Sequence, residues 1–212
     1  MKKAILIDGG FYRKRAAYLW GKKTALDRAK ELRAYCRAHQ GEDELYRIFY
    51  YDCPPIDKVV YHPLLKKNID LKKSETFFWT CEFLDQLRSF RKFAIRLGNL
   101  SEAGIEYKLR EGITKKICSG AKKICDLTEY DFGLSVEQKG VDMKIGIDIA
   151  SMAYKKQVDQ IVLIAGDSDF VPAAKLARRE GIDFILDPMW STIREDLYEH
   201  IDGLKSQWKR RE

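Results

Sequence analysis

Five short apolar runs, at residues 4–7, 46–51, 93–97, 161–165 and 184–186, punctuate the chain, and several stop at an aspartate or a glycine. Runs this short and this continuous read as strands buried on both faces. Longer stretches of helical period separate them. Residues 26–38 interleave charges with Leu32 and Tyr35, 75–90 repeat Phe78, Cys81, Leu84 and Leu87, and 171–179 place Pro172 where a first helical turn accepts it. Strands alternating with helices predict an α/β fold with a mainly parallel central sheet flanked by helices.

The stretch VDMKIGIDIASMAY (141–154) fits two periods, because Val141, Met143, Ile145, Ile147 and Ile149 alternate as in a strand. Its length, and the need for a crossover before residue 161, favour a helix. That helix holds Asp142 in its first turn, where the helix dipole favours a carboxylate.

Two segments lack any such period. Residues 52–74 hold three of the five prolines with Lys58, Lys66, Lys67, Lys72 and Lys73, and read as a basic inserted loop. Residues 112–138 are polar and basic, with Lys115, Lys116, Lys122 and Lys123. Without a repeat or an interdomain linker, residues 1–212 read as one domain with these two elaborations, a length one domain commonly reaches.

A formal net charge of +7 and a pI near 9.0 describe a surface that attracts phosphates. The five cysteines, Cys36, Cys53, Cys81, Cys118 and Cys125, are odd in number and lack CxxC spacing, which argues for free thiols over disulfides or a zinc ribbon. Only a continuous run of four apolar residues, 4–7, precedes Asp8, too few for a signal-peptide core, and no run approaches the ~18 apolar residues of a membrane span. The expectation is a cytoplasmic protein with no membrane partner; nothing in the sequence speaks against a homodimer.

Function enters through LIAGDSDFVP (163–172), where a strand-like run ends in Asp167 and Asp169, two carboxylates one residue apart. Like charges that close cost free energy unless a cation lies between them. In a parallel sheet the crevice outside the carboxyl ends of the strands binds ligands. Asp8 follows the first strand, Asp167 and Asp169 follow the fourth, and Asp142 opens the helix that leads to it. Four carboxylates from three parts of the chain can therefore meet on one edge.

Such an oxygen-rich set suits a hard cation, Mg2+ or Mn2+. His39, His62 and His200 have no ligand spacing with one another, which disfavours a zinc hydrolase. Each acid also has an ordinary reading. Asp8 before Gly9-Gly10 can form a turn, Asp167 can do the same, and Asp169 and Asp142 can cap helices. Asp148 lies about 120° around the helix from Asp142 and could pair with Lys144, so it is a secondary candidate. Ser168 could position a phosphate or simply close a turn.

The blocks ILIDGG, QKGVDMKIGIDIA and VLIAGDSDFVPAAK, followed by REGIDFIL, resemble the NYN domain family in order and spacing. FYYDCPP, His62-Pro63 and IRLG resemble a bacterial subgroup of it. The resemblance implies a PIN-like three-layer fold and metal-dependent cleavage of RNA, with Asp8, Asp142, Asp167 and Asp169 at the acidic ligand positions. Lys139 and Asp148 match further motif positions. Where many relatives carry an asparagine after the first aspartate, as DGxN, this chain has Phe11, which removes a polar group from the first loop.

RNA contacts would come from cations outside the acids, because phosphate affinity depends on Lys and Arg. Arg13, Lys14 and Arg15 follow Asp8, and Lys66, Lys67, Lys72, Lys73, Lys115 and Lys116 supply more. Tyr12, Tyr51, Tyr61 and Tyr107 are aromatic faces on which unpaired bases could stack. The competing expectation is an RNA-binding regulator or adaptor of the same fold with little turnover. A doubly wound phosphatase ranks lower, since Gly10 stands where its DxD pattern needs an acid. A Toprim-type site lacks the earlier strand ending in glutamate.

Overall fold

Residues 3–7 are all buried, and they form the middle of β1 (Lys2–Asp8), a central strand of a six-stranded sheet. The computed structural model describes residues 1–101 and 104–208, with Gln138 and Ser168 followed as backbone only. Beside β1 on one side run β2 (Glu44–Asp52) and β5 (Phe93–Leu97); on the other run β10 (Gln160–Ile164), β11 (Asp183–Asp187) and β12 (Gly203–Leu204). Every adjacent pair is parallel.

Alternate residues of the strands face opposite helical layers. Ile5, Ile7, Ile48 and Tyr50 pack under α1 (Gly9–Trp20), α2 (Ala25–Gln40) and α3 (Glu75–Ser89), meeting Tyr12, Leu32, Tyr35 and Phe83. Leu6, Leu163 and Phe184 pack under α5 (Val141–Tyr154) and α6 (Val171–Arg179), meeting Ile145, Ile149 and Ala174. The result is the three-layer, PIN-like arrangement of a parallel sheet between helices.

The polar segments carry more structure than their sequence suggests. Residues 52–74 hold an antiparallel hairpin, β3 (Val59–His62) with β4 (Lys67–Asp70), and a 3-10 turn at Leu71–Lys73. Farther on, β6 (Asn99–Leu100) pairs with β9 (Gln138–Lys139), and β7 (Glu106–Leu109) with β8 (Phe132–Ser135); α4 (Glu111–Cys118) lies between. Strands of two to four residues, paired only with one another, are too short to leave a periodic signal. A short α7 (Glu195–Tyr198) follows β11. No helix among the described residues is long and apolar enough to cross a membrane.

The chain lays β1, β2 and β5 outward in one direction and β10, β11 and β12 in the other, so the order reverses between β1 and β10. A doubly wound sheet opens its ligand crevice at such a switch, at the carboxyl ends of the two strands.

Candidate functional site

That crevice is an open cavity of about 550 Å³ lined by Asp8, Asp142, Asp167, Lys14, Phe11 and Arg194, among others. Asp8 ends β1 and caps α1, accepting a hydrogen bond from the Phe11 amide at 3.1 Å. Burial pushes its carboxyl up to about 6; the negative charges of Asp142 and Asp52 add to the rise and the Phe11 amide opposes it. Asp142 sits in the first turn of α5, whose N-cap is Gly140 at φ +81°, so the aspartate is no cap. Its pKa is raised by desolvation and then by the charges of Asp167 and Asp169.

The alternatives for the GDSD pair divide. Asp167 does close a turn, accepting the Asp169 amide at 3.1 Å. Asp169 lies in the 3-10 turn Ser168–Phe170, and α6 is capped at Phe170 with no side-chain bond, so helix capping does not account for it. Gly166 has no room for a side chain: a Cβ there would fall 2.5 Å from Phe11 Cε2. Phe11, the residue at the DGxN asparagine position, therefore packs its ring onto the GDSD loop.

Among the described residues, no three carboxylate, imidazole or thiolate side chains form a set that could hold a metal ion. Asp8, Asp142 and Asp167 gather around one cavity, with Asp169 close enough for its charge to act on Asp142, without closing into a ready cage. Asp148 points elsewhere. It accepts from Tyr51 Oη at 2.7 Å and pairs with Arg96 at 3.2 Å, while Lys144, its expected partner, donates to the Leu97 carbonyl. Lys139 lies 3.6 Å from Glu137 on the short β9 strand. The side chain of Ser168 lies outside the described residues.

The basic candidates also separate. Lys14 lines the carboxylate cavity, whereas Arg13 turns inward and pairs with Asp52 at 2.9 Å. Lys66 and Lys67 sit on the β3–β4 hairpin, Lys72 and Lys73 in the 3-10 turn, and Lys115 and Lys116 on α4, none of them lining that cavity. Lys73 and Lys115 lie near Asp70 and Glu111, at 3.5 and 3.1 Å. Tyr12 and Tyr51 are buried in the core and offer no face to a base; Tyr61 is exposed and Tyr107 half-buried.

Two residues escaped the sequence reading. Asp52, which ends β2 beside Asp8, is 2% exposed and accepts from Arg13, from Tyr50 Oη and from the Cys53 amide. The rule that found Asp8 would have found it, since FYYD also ends a parallel strand in an acid. Arg194 reaches the cavity from the loop before α7, and nothing in its local sequence marks it.

The NYN domain family model matches residues 82–195, more than half of the chain. Asp142, Asp167 and Asp169 lie inside the matched span and Asp8 lies before it, so Asp8 joins the site through geometry. No curated protein matches the chain. Among solved structures, a protein of unknown function from Vibrio parahaemolyticus RIMD 2210633 is similar in fold, at 15% identity and a TM-score of 0.50, over 96% of this chain and 90% of that one.

Proposed function

Because the chain belongs to the NYN domain family, a PIN-like nuclease family, we propose that it is a divalent-metal-dependent endoribonuclease hydrolysing RNA phosphodiester bonds. The observation that carries the reading is the meeting of Asp8, Asp142 and Asp167 in one cavity at the β1–β10 switch, with Asp169 charge-coupled to Asp142.

The donors fit a hard cation, since they are oxygens alone and since burial, followed by the charge of neighbouring carboxylates, raises the pKa of Asp8 and Asp142. Mg2+ and Mn2+ bind through one or two carboxylates and keep several waters, so they do not require a closed three-ligand cage. Such an ion, when bound, lowers the pKa of a water and offsets charge building on the phosphate.

The residues divide the remaining work. Asp8 and Asp167, fixed at two strand ends by backbone hydrogen bonds, would hold the cation with little reorganisation. Asp142, exposed in the first turn of α5, would accept a hydrogen bond from the attacking water and orient it. Lys14 and Arg194 on the cavity wall would draw the RNA backbone toward an otherwise repellent site.

Phe11 in the first loop and the unclosed ligand set favour a second reading, an RNA-binding module with little turnover. Incubation of a labelled RNA pool with the protein in Mn2+, Mg2+ or EDTA separates the two. Cleavage that needs metal and disappears in Asp167→Asn supports the nuclease; salt-sensitive retention of uncut RNA selects the binding module.

A further inference from the structure

A second cavity, of about 440 Å³, lies beside the first, a size within the ~300–1,000 Å³ of ordinary small-ligand sites. Arg13 and Asp52 line it together with Leu71, Phe77, Tyr107 and Leu134, so the surroundings are largely apolar and two of them are aromatic. The ring of His62 packs 4.5 Å from that of Tyr107, centroid to centroid, and steadies it.

The polar groups of this cavity are nearly all committed. Asp52 accepts from Arg13 Nη2, Tyr50 Oη and the Cys53 amide. Thr80 donates to the Thr76 carbonyl, and Ser74 Oγ bonds the Leu71 carbonyl and the Phe77 amide. Arg13 Nε is different: it is buried and has no hydrogen-bond partner among the described residues. It is enclosed by the protein, so an occupant of the cavity does not reach it, and Arg13 meets the cavity as half of a neutralised pair with Asp52.

The two cavities share the start of α1. Gly10, Phe11 and Lys14 face the carboxylates while Arg13 faces the apolar cavity. An RNA strand whose phosphate lies at the carboxylates thus has the apolar cavity beside it.

We propose that this cavity receives one unpaired nucleobase of the RNA, with Phe77 and Tyr107 offering ring faces. The proposal rests on the RNA reading above. A base has broad apolar faces, which match an apolar, aromatic-lined slot whose one charged pair is already neutralised within the protein. A phosphate would face buried Asp52, and an amine would face Arg13. Because the base must leave its stack, the substrate class is single-stranded or unpaired RNA. Leu71 and Ser74 belong to the segment that carries Lys72 and Lys73, which gives those lysines a place along the outgoing backbone.

The test uses the full chain carrying Asp167→Asn, in EDTA, with a short oligouridylate and its fully abasic counterpart as probes, read by fluorescence anisotropy. The parent should bind the base-bearing strand about tenfold more tightly than the abasic one, the size of a single stacking contact. Thr76→Trp, at an exposed position on the cavity lining, should remove that preference and leave abasic affinity unchanged; Phe77→Ala should reduce it. Equal binding of both probes, or an undiminished preference in Thr76→Trp, overturns the proposal. Cleavage by the unmutated chain with no base preference sinks the pocket and leaves the nuclease standing. A base preference without cleavage does the reverse, and no RNA binding removes both.

Discussion

Arg13 Nη2 and Asp52 Oδ1 meet at 2.9 Å, joining the first helix to the end of β2 directly beside the carboxylate cavity. Asp52 is buried and Arg13 partly exposed, and the pair separates the acidic cavity from the apolar one. Removing the carboxylate alone strands a guanidinium, the Tyr50 hydroxyl and the Cys53 amide. Asp52→Ala should cost about 3 kcal/mol in urea unfolding, the low end for one-sided loss of a buried pair because Arg13 is not fully enclosed. A loss below about 1 kcal/mol would mean that the pair is replaced by water.

Asp8 makes stability depend on pH. Its folded pKa of about 6 lies above the ordinary 3.8, so the folded state binds the extra proton between those values. The stabilisation is complete below about 3.8 and lost as pH rises through about 6. Asn also caps helices well, so Asp8→Asn should keep α1 and remove only the charge. In metal-free buffer the variant should exceed the parent in stability by about 1–3 kcal/mol at pH 7.5 and match it at pH 4. Equal curves at both pH values would remove the electrostatic strain assigned to this carboxylate.

Gly166→Ala places a methyl against the Phe11 ring and should destabilise by about 1–3 kcal/mol, as overpacking does. Adding Phe11→Ala should restore part of the loss, because the clash has one main partner. Thermal unfolding of the two single variants and the double reads this coupling directly, and simple additivity would contradict it.

Lys14 and Arg194 face the acids, whereas Lys115 sits on α4 beside Glu111. Lys14→Ala should weaken RNA binding and lower the salt dependence of log K by about one unit, the mark of a single phosphate contact. Lys115→Ala should change neither by a comparable amount. Titrations at several salt concentrations decide between them.

The sheet was legible because its strands are apolar on both faces: all five expected strands occur, shifted by at most two residues at either end. For α5 it is length and connection, not periodicity, that distinguish a helix from a strand. Helix α1 was hidden, because GGFYRKRAAYLW opens with two glycines and depends on the Asp8 cap and on Tyr12 and Leu19 reaching the core. The β3–β4 and β7–β8 pairs are invisible in the sequence for lack of length. In the site, acids at strand ends could be read locally. The inward turn of Arg13 and the arrival of Arg194 are tertiary, set by Asp52 and by the path of the chain after β11.

The central claim, that Asp8 and Asp167 hold a divalent cation in a site completed by Asp142 and Asp169, is tested most directly by titrating the chain with Mn2+ and following free ion by electron paramagnetic resonance. The account predicts saturable binding that is lost in Asp167→Asn and weakened at least tenfold in Asp142→Asn, with both variants still folded by circular dichroism. Unchanged Mn2+ binding in both variants, or none by the parent while it cleaves RNA, would contradict it.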